Sequence, residues 1–225
     1  MKWFSHVPPP PPVIDRVATS PLALEIWTRY ARVFEHKWGL SKLASDYLGL
    51  VGADMGVAEF RVHGIQYYKH SLAVPLRNAW YMATVMDGRW EVLRHCTLKE
   101  PILDYGCGVG YTLVWLVEHG YAADQLYGWD VEGPQRQVTQ EMFENEGINW
   151  WDEKSPTHFG TILCLNVFEH LPKPMDTLLW LRSSCDNLIA NCDTSNDGDH
   201  TTSVNERQKV LQSLHNAGEL WGQAT

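Results

Sequence analysis

No stretch of about 18 uninterrupted apolar residues occurs in the chain, so no segment is expected to cross a bilayer as a helix. The start, Met1-Lys2-Trp3-Phe4-Ser5-His6-Val7 ahead of five prolines, lacks the continuous apolar core of a secretory signal. Cysteine is sparse. The five residues at 96, 107, 164, 185 and 192 form no C-x2-C pair, which argues against a zinc site, and their odd number argues against a disulfide framework. A reduced, cytoplasmic protein is the expectation. Positive charge is also in short supply: the formal charge is -9, and no Lys/Arg run exceeds two residues. A phosphate backbone is therefore repelled on average, and nucleic acid is expected to be a disfavoured partner. A confined basic groove stays open as the minor alternative, because net charge does not place the 18 Lys and Arg in space.

What is present is enough for one substantial core. With 225 residues, 44% of them apolar, and eleven Trp, the composition is that of a folded domain with an appendage, not of a disordered chain. No internal repeat is evident. Prolines 8–12 favour polyproline II and suggest an arm over residues 1–20, with a PxxP ligand as the functional alternative.

From Pro21 onward, Leu24, Ile26, Trp27, Tyr30, Ala31, Val33, Phe34 and Trp38 recur at helical spacing, and Gly39 is a plausible stop. A shorter helix is expected before residue 50, and the stretch 60–68 is ambiguous between strand and loop. A further helix is expected to begin near Pro75, with Leu76, Ala79, Trp80, Ala83 and Met86 on one stripe, and to end at Asp87-Gly88. Residues 21–95 thus read as a helical cap shaping a substrate region.

Over residues 96–225 the texture changes to short apolar runs alternating with helices, the pattern of a doubly wound, mostly parallel sheet. Strands are expected at 101–104, 125–130, 148–151, 161–166 and 188–192, with helices at 111–119, at 134–146, through Leu178, Leu179 and Leu181, and from the capping box Ser203-Val204-Asn205-Glu206 to Gly218.

Chemistry concentrates at Asp104-Tyr105-Gly106-Cys107-Gly108-Val109-Gly110, directly after the first strand and before a helix. Such a turn lets backbone approach a nucleotide-like ligand. A dinucleotide fingerprint reads G-x-G-x-x-G, whereas this spacing is G-x-G-x-G with a carboxylate two residues ahead, and a carboxylate suits a ligand carrying an ammonium and a sulfonium.

At these residues the chain resembles the class I (Rossmann-like) S-adenosylmethionine-dependent methyltransferases. The resemblance continues through Tyr127-Gly128-Trp129-Asp130 and through Asn166-Val167-Phe168-Glu169-His170-Leu171-Pro172, and covers about residues 100–192. It implies a cofactor held by Asp104, Gly106, Cys107, Gly108 and Gly110, with Asp130 on both ribose hydroxyls and Val131 beside it. It further implies Trp151 and Asp152 near adenine and Asn166 beside the methionine portion. The family fold adds two strands after the fifth helix, but only residues 219–225 remain for them. The expected sheet order is therefore 3-2-1-4-5 with the C-terminal hairpin missing, its edge exposed or covered by a second copy.

His170 is the candidate acceptor of a proton from an attacking group, with loop orientation as the competing role. Glu169 is similarly divided between catalysis and helix-start electrostatics. Asp193, Asp197, Asp199 and His200 crowd one loop, read as a solvated turn in preference to a metal site. Tyr67, Tyr68 and His70 are read as ordinary packing ahead of closure over a ligand. Cys107 is explained by its small size without invoking reactivity. The leading function is methyl transfer from S-adenosylmethionine to O, N or C of a small molecule, driven largely by proximity. A non-catalytic cofactor-binding module that recruits a partner is the alternative, and a nicotinamide oxidoreductase is opposed by the glycine spacing.

Overall fold

The structure is a computed structural model and describes residues 20–39, 73–194 and 202–217. The proline arm, the expected short helix, the 60–68 stretch, Tyr67, Tyr68, His70, Asp197, Asp199, His200 and Gly218 lie outside the described residues.

Helix α1 (Pro21–Trp38) starts where the extended Ser20 takes the Ala23 amide on its hydroxyl at 3.2 Å, with proline in the first turn. It stops where Gly39 adopts φ 67° and returns its amide to the Glu35 carbonyl. Helix α2 (Ala73–Leu93) does not end at Asp87-Gly88 as the turn signal suggests, but runs one and a half turns further. Mid-helix glycine costs about 1 kcal/mol, which is less than the roughly 1.5–3 kcal/mol available from burying one large apolar side chain. Met86 and Leu93 are both fully buried, and the Gly88 side of the helix is open space. Burial overrides the local signal.

The strands are β1 (Ile102–Tyr105), β2 (Leu126–Trp129), β3 (Asn149–Trp150), β4 (Phe159–Cys164) and β5 (Cys185–Ala190). All pair in parallel in the order β3-β2-β1-β4-β5, and Asp104 sits opposite Gly128 on one side and Leu163 on the other. This is the expected α/β architecture. The connecting helices are α3 (Tyr111–Glu118), α4 (Pro134–Glu146), α5 (Pro174–Ser183) and α6 (Val204–Ala217). Residues alternate between the two faces of β1. Ile102 joins a core with Trp27, Tyr30, Phe34, Met86, Leu116 and Phe143, while Leu103 joins Phe159, Leu178, Leu181, Val210 and Leu214 on the opposite side.

Helices α1 and α2 therefore share one core with α3 and α4. Trp27 meets Trp80 edge-on at 5.2 Å, and Tyr30 stacks on Tyr111 at 5.6 Å. β5 begins three residues before the sequence reading because Cys185 continues the ladder opposite Phe159. β3 is short because Trp151 gives its amide to Gly128 and the chain then turns at Asp152, whose carboxylate accepts from the Lys154 amide at 2.9 Å. At α6 the Ser203 hydroxyl accepts the Glu206 amide at 3.3 Å, but the Glu206 carboxylate takes the Ser203 hydroxyl instead of its backbone amide, so the capping box is half made. Among the described residues no helix is long and apolar enough to cross a membrane.

Two tyrosine hydroxyls tie α1 to the turn after β1: Tyr30 donates to the Val109 carbonyl at 2.6 Å, and Tyr111 donates to the Ala23 carbonyl at 2.7 Å. Val109 is 1% exposed, so water cannot replace the lost donor. Tyr30→Phe is expected to destabilise the protein by about 1–2 kcal/mol, read in thermal denaturation as a drop of roughly 2–6 °C. An unchanged transition would show that the hydroxyl contributes nothing.

Candidate active site

The turn after β1 is built by the protein's own packing. Gly106, Gly108 and Gly110 all adopt left-handed backbone, with φ of 76°, 61° and 76°. A Cβ at Gly106 would lie 2.5 Å from the Val167 side chain, and one at Gly110 would collide with Phe143 and lie 2.9 Å from Thr139. At Gly108 a Cβ would meet Gln135 only at ordinary contact distance, so there the backbone conformation alone requires glycine. The first and third glycines thus let the turn pack against the β4 loop and helix α4.

Asp130, one residue past β2, organises this turn. Its Oδ2 accepts from the Gly108 amide at 2.7 Å and from Gln135 Nε2 at 3.3 Å, while Oδ1 accepts from the Val131 amide at 2.7 Å. The Gly106 and Cys107 amides donate to the Trp129 carbonyl at 2.8 and 2.9 Å, and Thr139 donates its hydroxyl to the Gly108 carbonyl at 2.8 Å. Asn78 of α2 reaches the same network by donating to Gln135 Oε1. A carboxylate offers about four lone-pair positions, so after these three contacts Asp130 keeps one, on Oδ1, for a ribose hydroxyl. Val131 beside it is 41% exposed, an apolar surface next to that carboxylate. The arrangement fits the adenosine half of S-adenosylmethionine.

Burial pushes the Asp104 carboxyl up to about 7, with the charge of Asp130 adding to the rise and Arg89 opposing it. Burial also pushes Asp130 up to about 6, against the pull of the Gly108 and Val131 amides and Gln135. The Cys107 thiol is held well above its ordinary value by burial and by both carboxylates, which disfavours the thiolate.

The loop after β4 closes the site from the other side. Asn166 adopts φ 57°, a conformation that asparagine tolerates better than most residues. It is held there by Asn191: the Asn166 amide donates to Asn191 Oδ1 at 2.6 Å, and Asn191 Nδ2 donates to Asn166 Oδ1 at 2.8 Å. His170, half-buried, ends the turn Phe168–His170, its amide on the Val167 carbonyl at 2.9 Å. Glu169 is 2% exposed and its carboxyl is pushed up to about 7 by burial and by Asp193, against the pull of the Arg207 guanidinium. It faces the α6 side of the loop. Thr202 bonds there as well, its amide to the Glu169 carbonyl at 3.1 Å and its hydroxyl to the Phe168 carbonyl at 3.2 Å.

The structure brings together Asp104, Gly106, Cys107, Gly108, Gly110, Asp130 and Val131, with the Asn166 loop against Gly106. Trp151 lies with the opposite core, its ring 6.4 Å from Trp129 and 5.7 Å from Trp180. The Asp152 carboxylate is exposed and engaged within its own turn. Sequence reasoning missed Gln135, Asn78, Tyr30 as a hydrogen-bond donor, and Asn191. Only Asn191 carried a signal: a polar side chain just past the carboxyl end of a strand, β5, on the side where open α/β sheets place their ligands.

Comparison with known proteins gives a methyltransferase domain family over residues 78–212. The tRNA U34 carboxymethyltransferase of Helicobacter acinonychis (strain Sheeba) is 32% identical over 103 residues, covering 40% of this chain and 38% of that protein. The protein of the same name from Helicobacter pylori (strain HPAG1) is 29% identical over 103 residues, covering 40% and 39%. The chain thus spans well under half the length of these curated relatives. Among solved structures, magnesium protoporphyrin IX methyltransferase from Synechocystis PCC 6803 superposes with a TM-score of 0.43 at 18% identity, over 74% of this chain and 79% of that one. These relatives overturn one expectation. Proteins named for a tRNA nucleotide match this chain, so a charge of -9 does not make nucleic acid a disfavoured partner; net charge sets the average potential and leaves local charge free.

The raised carboxyls give a pH prediction with opposite signs for binding and folding. A carboxyl raised on folding stabilises the protein in its protonated form, so the contribution of Asp104 and Asp130 to cofactor-free stability declines as pH rises from about 4 to about 7. A cationic cofactor requires the ionised forms. Its affinity is expected to fall by at least about tenfold between pH 7.5 and pH 5, with proton release seen in calorimetry across buffers of different ionisation enthalpy. A flat affinity would remove these ionisations from the binding step.

Proposed function

Because the chain belongs to the methyltransferase domain family, whose methyl donor is S-adenosylmethionine, we propose that it transfers a methyl group to a nucleophilic acceptor presented at residues 166–172. The observation that carries this reading is the Asp130 carboxylate clamped onto the Gly108 amide at 2.7 Å, with the left-handed turn on one side and exposed Val131 on the other. When bound, the cofactor supplies an electrophilic methyl on a sulfonium. Asp130 accepts from a ribose hydroxyl, Asp104 offers negative charge to the cofactor's cationic end, and Val131 packs on the base. Asn166, held by Asn191, lies beside the methionine portion.

In-line displacement needs proximity and alignment more than acid-base help. His170 receives the acceptor proton where the acceptor is a hydroxyl or amine. Glu169, buried against the Arg207 side, positions the loop and does not touch the acceptor. Trp151 and Asp152 stay outside the adenine end on this reading, since their polar groups are engaged locally and the Trp151 ring packs with Trp129 and Trp180. The chain acts in the cytoplasm on this reading, consistent with cysteines that are all free.

The acceptor is a small molecule on the first reading. A second reading, favoured by the relatives' name, is an RNA nucleotide. Labelled S-adenosylmethionine incubated with the chain and either a small-metabolite extract or total tRNA separates them by where the label appears. Asp130→Ala should weaken cofactor binding by about 100-fold, roughly 3 kcal/mol from the lost charge-assisted hydrogen bond together with release of the Gly108 amide that holds the turn. Normal binding in that variant would sink the cofactor assignment, and tight binding without turnover on any pool would leave the non-catalytic module standing.

A further inference from the structure

A parallel strand is normally connected to the next through a helix, but the link from β3 to β4 has only the residues 151–158. It must cross three strand positions, about 14 Å, while returning to the other end of the sheet. Eight extended residues reach at most roughly 28 Å, which leaves no length for a helix. The sheet face at the ends of β1 and β2 is therefore covered by aromatic rings and the side of helix α5, which carries Asp176, Thr177 and Trp180.

Those rings line a groove of about 400 Å³ formed by Tyr105, Trp129, Trp151, Asp176, Thr177 and Trp180. Tyr105 stacks on Trp129 at 4.6 Å, Trp129 meets Trp151 at 77°, and Trp180 is tilted by 44° to Trp151 and by 56° to Tyr105. Trp180 is 39% exposed although it is among the largest apolar side chains in the chain. Two of the groove's donors are engaged within the protein, the Trp151 indole N–H with the Pro156 carbonyl at 3.2 Å and the Thr177 hydroxyl with the Lys173 carbonyl at 3.3 Å. Most of what the lining offers a ligand is ring surface, and its one charged group is the exposed Asp176 carboxylate. No Lys, Arg or His lines the groove; Lys154 and Lys173, close in sequence, are exposed and outside the lining.

Ring faces carry negative quadrupole potential, and beside a carboxylate they attract weakly hydrated organic cations. A polyanion finds no counter-charge here. We propose that this groove is a second binding site, distinct from the cofactor turn, for a small molecule bearing an alkylated ammonium group. Its volume lies within the roughly 300–1,000 Å³ of small-molecule sites. The ammonium rests on the rings of Trp129, Trp151 and Trp180 with Asp176 as its counter-ion. The site goes beyond methyl transfer and does not depend on it.

The test uses the full chain, choline chloride as the probe at constant ionic strength, and tryptophan fluorescence as the readout. Saturable quenching is expected, with binding at least tenfold weaker for the neutral isostere 3,3-dimethylbutan-1-ol. Asp176→Asn should weaken choline binding several-fold and Trp180→Ala should abolish it, while both variants keep S-adenosylmethionine binding as evidence of folding. Equal binding of the isostere, or unchanged choline affinity in the exposed Asp176→Asn variant, overturns the proposal even if Trp180→Ala does not fold. Quenching by a short single-stranded oligonucleotide in place of choline overturns it in favour of nucleic acid.

Discussion

The Asp130 carboxylate accepting the Gly108 amide joins the end of β2 to the turn that follows β1, and most of the site is arranged around that bond. The two strands are neighbours in the sheet, so the bond closes a short bridge over their carboxyl ends. It holds a left-handed backbone in place and keeps a charge buried that water would otherwise solvate. Burial of that charge explains why Asp130 and Asp104 are both harder to ionise than free carboxyls, and why a cationic ligand would complete the site electrostatically.

Around this bridge the N-terminal helices act as part of the site. Tyr30 of α1 holds the Val109 carbonyl and Asn78 of α2 holds Gln135, which in turn donates to Asp130. A pair of helices that read as an appended cap in sequence is thus continuous with the sheet core through Trp27, Phe34 and Met86. Movement of α1 is coupled to the turn after β1, because the Tyr30 hydroxyl and the Val109 carbonyl are buried and have no water to substitute for their partners, and α2 is tied to it through the part-buried Asn78–Gln135 bond.

The loop after β4 is fixed from the opposite direction. Asn191 pins Asn166 in its left-handed conformation, and Thr202 with the Glu169 and Arg207 side chains stitches the loop to α6. Two residues first read as candidates for catalysis therefore have different places, with His170 at the end of the turn and Glu169 buried beneath it. The helix-free link between β3 and β4 has the converse effect, leaving part of one sheet face to be covered by Trp129, Trp151 and Trp180.

The parallel sheet, its order, the glycine turn and the acids at the ends of β1 and β2 were legible in the amino-acid sequence, because period, strand length and local backbone chemistry are short-range properties. The continuation of α2 past Gly88 was not, since it depends on Leu93 finding a buried place against distant residues. Nor were Gln135, Asn78 and Asn191, whose partners lie 57 and 25 residues away for the latter two. The sequence by itself determined the fold class through its alternation of strands and helices, and the cofactor through its resemblance to the methyltransferase family. Only the tertiary structure decided which side chains hold that site and where an aromatic groove opens, because hydrogen bonds and ring contacts between remote residues exist only once the sheet has brought them together.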